Sequence, residues 1–123
     1  MGVSTFKELI VWQKSMQLCK QVYFSTQTFP KSEVYGLTSQ IRRCSVSIPS
    51  NIAEGFGRGH RSEYKQFLHI AYGSGSELET QLLLALEIGY LKETEFTNLA
   101  ALLKEIMKML NKFISTLELS TRH

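Results

Sequence analysis

Residues 62–89, SEYKQFLHIAYGSGSELETQLLLALEIG, decide the fold. Tyr64, Leu68, Ala71, Gly75, Leu78, Leu82, Ala85 and Gly89 alternate at spacings of four and three, which marks one face of a long α-helix. The small residues Ala71, Gly73, Ser74, Gly75 and Ser76 interrupt it with poor helix formers, each glycine costing about 1 kcal/mol. Such a loss makes sense where a second helix approaches closely. A break in the helix is the other reading.

Just before this helix, Gly55-Phe56-Gly57-Arg58-Gly59 supplies caps and turns. It is a poor phosphate loop, since it follows a helical pattern rather than a strand and lacks the Lys-Ser/Thr of a P-loop. Upstream, Val34, Leu37, Ile41, Cys44, Ile48 and Ile52 write the core row of a second helix, expected over about 33–56 with Ser32 as its cap. A polar row runs beside it: Gln40, Arg43, Ser47, Asn51 and Glu54, with Ser74, Glu77 and Gln81 as the facing row on the third helix. Pro49 removes the hydrogen bond to the Ser45 carbonyl. The helix either stops near Ile48 or continues with a kink, and the kink is favoured because both rows keep phase past the proline.

Further out, Leu9, Trp12, Met16, Cys19 and Tyr23 mark the stripe of a first helix over about 5–26, capped by Ser4 or Thr5. Ile10, Val11, Leu18 and Val22 lie off that stripe and give a second apolar face, which hints at oligomerisation. After Gly89, Phe96, Leu99, Leu103, Ile106, Leu110, Phe113 and Leu117 give a fourth helix over about 94–118, with Ala100, Met107 and Ile114 as a second apolar face. The tail beyond Glu118 is expected to fray. The fold class is therefore all-α: one domain spanning 1–123, an antiparallel up-and-down four-helix bundle with a second helix kinked near Pro49, its surplus apolar rows implying a closed homo-oligomer.

The bulk numbers fit that reading. A chain 43% hydrophobic and 20% charged, with two prolines, has the balance of an ordinary globular domain. No run of about 18 apolar residues is present, so no membrane span is expected. The first residues lack the pattern of a secretory signal, and Phe6 stands where a myristoylation signal needs Ser or Thr, so cytoplasmic location is the default.

Catalytic chemistry is hard to assemble from this chain. Cys19 and Cys44 have no CxxC partner and are expected as buried thiols, while His60, His69 and His123 are scattered. No HExxH occurs, and no histidine follows Glu63 or Glu77 at the spacing of a di-iron bundle. Catalytic residues, metal ligands and cofactors are all expected to be none.

Two polar constellations remain. The first is the row Gln40, Arg43, Ser47, Asn51 and Glu54 with Glu77, read as a buried or interfacial network that sets helix register, for instance through an Arg43–Glu77 pair. A solvated face and an active site are the competing readings. The second is basic: Arg58, Arg61 and Lys65, with His60, at the turn before the third helix, and Lys104, Lys108 and Lys112 at i, i+4 and i+8 on the fourth. Like charges at that spacing repel by about 0.2–0.5 kcal/mol per pair, so the row is a candidate for phosphate contact, or else a solvated face. The formal charge of +3 permits nucleic acid contact without demanding it.

The segments FKELIVWQKSMQL (6–18), FPKSEVYGLTSQIRRCSVSIPSNIAEGFGR (29–58) and FLHIAYGSGSELETQLLLALEIGYL (67–91) resemble the four-helix-bundle family of proteins encoded in intervening sequences of bacterial 23S ribosomal RNA genes. The resemblance runs from about Phe6 to Leu117, with Gln40, Arg42, Arg43, Ser47, Pro49, Asn51, Ala53, Glu54, Gly55, Gly73, Ser74 and Glu77 where that family's signature sits. It implies a homopentameric ring in bacteria with no known catalysis. A related branch, the accessory variability proteins of diversity-generating retroelements, is similar in shape and binds nucleic acid and a reverse transcriptase. The expected partners are thus other copies of the chain, RNA or DNA, and a nucleic-acid enzyme. A structural or protein-binding scaffold without nucleic acid is the alternative.

Overall fold

The four-three row of the third helix forms one unbroken α-helix, and the other rows assemble around it. A computed structural model describes residues 2–121, with the side chains of 2–119. Four helices follow in order: α1 (Ile10–Ser25), α2 (Leu37–Gly57), α3 (Arg61–Glu87) and α4 (Glu93–Thr121). Short 3-10 turns at Phe6–Glu8, Thr26–Thr28 and Lys31–Glu33 punctuate the first part of the chain, and no strand occurs among the described residues. Each helix packs against its neighbour in sequence, and α1 closes the bundle against α4. Cys19 meets Ser45 and Tyr23 meets Arg42, Ser47 meets Ser74 and Gly55 lies against Tyr64, and Tyr64 meets Phe113 while Gly75 lies against Met107, so neighbours run antiparallel, up and down.

Two glycines set how closely these helices approach. A Cβ on Gly75 would collide with the Met107 sulfur of α4, and one on Gly55 would lie 2.8 Å from Phe67 Cβ and 3.0 Å from the Tyr64 ring. Gly73, by contrast, has open space around it. Gly89 ends α3 in the left-handed region at φ 84°, with Tyr90 N–H donating to Ala85 O and Gly89 N–H to Leu86 O. That is the Schellman arrangement, which a side chain at this position would strain.

Several helix details depart from the sequence reading. In α1 the core shifts toward the off-stripe face: Val11, Leu18 and Val22 of that face are core while its Ile10 is exposed, and of the expected stripe Cys19 is core, Tyr23 is exposed and Trp12 and Met16 are half-buried. The true core row is Val11, Ser15, Leu18, Val22 and Ser25, again at fours and threes. Its two serines hide it from a hydrophobicity count, and Ser15 is tolerated because its hydroxyl donates to the Val11 carbonyl at 2.7 Å. Thr5 caps the first 3-10 turn rather than α1, which begins only after an extended Leu9. Ser32 does not cap α2. The helix starts four residues beyond Glu33, whose Oε1 accepts the Leu37 N–H at 3.0 Å, and Val34 is left exposed. At the other end α4 is assigned through Thr121, three residues beyond Glu118; His123 lies outside the described residues. On α4, Ile114 is core and Met107 packs toward Gly75, so that second face is largely spent inside the bundle.

At Pro49 the helix continues. α2 runs unbroken from Leu37 to Gly57, and the Ser45 carbonyl that the proline leaves without its helical donor accepts the Cys19 Sγ–H at 3.1 Å from α1. Ser45 is fully buried, so an orphaned carbonyl there would be costly. Both cysteines are buried and unbonded to each other.

Candidate functional site

Packing α2 against α3 brings the two polar rows to the lips of one cleft of about 380 Å³. Gln40, Arg43 and Ser47 line it from α2; Ser74, Glu77 and Gln81 line it from α3, with Cys44 at its floor. The serines join across it at 2.7 Å, and Asn51 Nδ2 donates to both the Ser47 carbonyl (2.8 Å) and its Oγ (3.0 Å). This end of the cleft is a closed hydrogen-bonded seam.

The other end is not closed. Arg43 and Glu77 are both exposed, and the Arg43–Glu77 pair that the sequence suggested is not formed within the chain. Gln81 is only 8% exposed, yet its buried Oε1 has no hydrogen-bond partner. Cys44 donates its thiol proton to the Ser74 carbonyl at 3.0 Å. Burial, reinforced by the neighbouring Glu77 carboxylate, pushes that thiol up to about 12, so it stays a neutral donor and not a nucleophile. Glu54 sits apart from the cleft, pairing with Arg58 one turn on at 3.1 Å.

The basic residues divide in the same way. Arg58 is engaged: it reaches Glu54, lies 3.8 Å from Glu63, and stacks over the Phe67 ring at 5.0 Å. Arg61, Lys104, Lys108 and Lys112 are exposed and Lys65 is half-buried, and none of the five enters an ion pair among the described residues. Glu105, within the lysine row, turns instead to Lys14 of α1 at 2.8 Å. The contact of Tyr64 with Phe113, at 5.1 Å between rings, puts Lys65 and Lys112 at the same level of the bundle.

Two further polar anchors were not singled out from spacing. Arg42 reaches from α2 to the C-terminal end of α1, where its Nε donates to Thr26 Oγ1 at 2.9 Å and its guanidinium covers the Tyr23 ring at 4.7 Å. A cation there also suits the negative end of the helix dipole. Glu33 bridges the start of α2 to Tyr90 in the α3–α4 turn. Neither pairing has a local spacing, since the partners are 16 and 57 residues apart. Among the described residues no group of His, Cys, Asp or Glu could hold a metal ion, and no helix is long and apolar enough to cross a membrane.

Comparison with known proteins agrees with this architecture. A protein of unknown function from the S23 ribosomal protein family of Bacteroides thetaiotaomicron VPI-5482 matches in its crystal structure with a TM-score of 0.78. The match has 24% identity and covers 85% of this chain and 98% of that one, which establishes a shared fold. No curated protein matches by sequence. The description "23S rRNA-intervening sequence protein" matches residues 7–112, taking in α1 to α3, the greater part of α4 and every residue of the cleft. With the fold and the match in agreement, the chain belongs to the 23S rRNA-intervening sequence protein family.

Proposed function

We propose that this chain is a non-enzymatic, cytoplasmic helical module that self-associates and serves as an accessory protein for nucleic acid, holding phosphates on Arg61, Lys65, Lys104, Lys108 and Lys112. The observation that carries the reading is the α4 lysine row. Three like charges stand one turn apart, exposed, and the one carboxylate among them is drawn off to Lys14. A row of that kind is mildly unfavourable in isolation and is relieved by a polyanion. Arg58 contributes less, because two carboxylates and an aromatic face already engage it.

Self-association is supported by apolar side chains left in the open, among them Phe24 (71% exposed), Tyr35 (96%), Leu84 and Ile88. A homopentamer is the assembly the family resemblance implies, and a ring would repeat each basic row around an axis. A protein-binding scaffold is the second reading, favoured by the same apolar side chains. For the nucleic acid reading, a nucleic-acid enzyme is the protein partner that the resemblance to the retroelement accessory proteins implies.

Titration of fluorescent single-stranded RNA tests the choice. The nucleic acid reading expects binding at about 50 mM salt that falls steeply by about 200 mM. No binding at the lower salt leaves the scaffold, and a single-chain mass by light scattering removes the assembly from both readings.

A further inference from the structure

A second groove, of about 370 Å³, lies between the turn after α1 and the first turns of α2, at the opposite end of the bundle from Arg61. Arg42 and Lys31 line it, and among the described residues no acidic side chain does. The half-buried Arg42 donates from Nε to Thr26 Oγ1 at 2.9 Å and from one terminal nitrogen to the Tyr23 carbonyl at 3.4 Å. Its other N–H groups have no partner, and neither cation enters an ion pair among the described residues. Glu33, close to Lys31 in sequence, is already committed to the Leu37 N–H and the Tyr90 hydroxyl.

Thr38 is an independent sign of a ligand. It is 6% exposed and lines the groove, yet its hydroxyl makes no hydrogen bond among the described residues, although buried polar groups almost always have a partner. Unlike the Gln81 and Tyr64 oxygens, the Thr38 oxygen is not sealed off.

We propose that this groove binds a small monocarboxylate with an apolar body. The carboxylate accepts from the unused Arg42 N–H groups and the Thr38 hydroxyl, and Lys31 adds its charge at the mouth. Thr38 and Arg42 are one turn apart on one face of α2, so their Cβ atoms are about 5–6 Å apart, within the reach of a single carboxylate. The apolar body lies on Phe29, Pro30 and Val34. That floor is preformed, since the buried Phe29 donates its N–H to the Thr26 carbonyl at 3.1 Å and packs its ring 5.5 Å from Tyr90. The same floor disfavours inorganic phosphate, whose remaining oxygens it would leave without donors. The volume lies at the low end of the roughly 300–1,000 Å³ of small-molecule sites.

Calorimetric titration of the full chain with phenylacetate and hexanoate tests this. Phenylacetamide, which keeps the body and loses the charge, and inorganic phosphate, which keeps the charge and loses the body, are the comparisons. The expected result is saturable binding with a Kd of about 1 mM or tighter for at least one carboxylate, and at least about tenfold weaker binding of both comparisons. Arg42→Met should weaken the binding at least about tenfold, and Thr38→Val and exposed Lys31→Gln at least about threefold each. Thr38→Val keeps the volume and removes an unpaired hydroxyl, so it should melt no lower than the parent and stays informative should Arg42→Met fail to fold. Absence of saturable heat up to about 10 mM overturns the proposal. So does phenylacetamide or phosphate binding as tightly as the carboxylates, or unchanged carboxylate binding in both Thr38→Val and Lys31→Gln.

Discussion

Tyr90 donates a 3.0 Å hydrogen bond to Glu33 Oε2 while the other oxygen of the same carboxylate receives the Leu37 N–H. One side chain therefore starts α2 and holds the α3–α4 turn. The bond to Glu33 raises the Tyr90 pKa above its ordinary value of 10.0. A raised phenol pKa means the folded chain keeps its proton when the unfolded chain has lost it. Stability from this contact is therefore full below pH 10 and declines above it. Thermal melts from pH 8 to 11 should show that decline, and it should be shallower in Tyr90→Phe. Equal slopes would show that the bond does not form in solution.

Tyr64 gives a second, opposite kind of prediction. Its hydroxyl is buried without a partner and burial pushes it up to about 12. Tyr64→Phe keeps the ring against Phe56 and Phe113 and removes the orphan, so the variant should be as stable as the parent or more stable by about 1 kcal/mol in urea unfolding. It should also flatten the alkaline loss, since one group with a raised folded pKa is gone.

Three glycine-to-alanine changes should separate packing from propensity. Gly55→Ala drives a methyl into Phe67 Cβ and the Tyr64 backbone and should cost about 1–3 kcal/mol. Gly75→Ala meets only the flexible end of Met107 and should cost less. Gly73→Ala meets nothing within the chain and should gain up to about 1 kcal/mol by denaturant titration. If Gly73→Ala instead disrupts assembly, another copy of the chain approaches there.

The Cys19–Ser45 bond answers to a double-mutant cycle. Cys19→Val strands the buried Ser45 carbonyl and should cost about 1 kcal/mol. In a Pro49→Ala background the backbone N–H restored by the substitution can take that carbonyl, so the same change should cost close to nothing. Equal costs in the two backgrounds would mean that the thiol does not serve the proline.

What was legible in the sequence was whatever repeats at helical spacing. Leu68, Leu78, Leu82, Ile41, Ile48, Leu103 and Leu110 are core as their rows predict, and Gly89 ends α3 as expected. The face of α1 was not legible, because Ser15 and Ser25 occupy core positions and Trp12 and Met16 mimic a core stripe from the edge of a groove beside Val46 and Pro49. Ser32 has the chemistry of a cap, but Glu33 takes that role through a side-chain bond four residues on, which no cap motif encodes. The cleft was half legible. Facing rows on α2 and α3 could be aligned from spacing, whereas the absence of an Arg43–Glu77 pair and the stranded Gln81 oxygen depend on the angle at which the helices meet.

The lysine row carries the proposed role, and the salt dependence of RNA binding measures it most directly. Replacing Lys104, Lys108 and Lys112 together by Gln should lower the slope of log affinity against log salt by about 2, three phosphate contacts at about 0.7 each for single-stranded RNA, while Arg58→Gln should change it little. An unchanged slope in the triple variant would contradict the proposed nucleic acid surface.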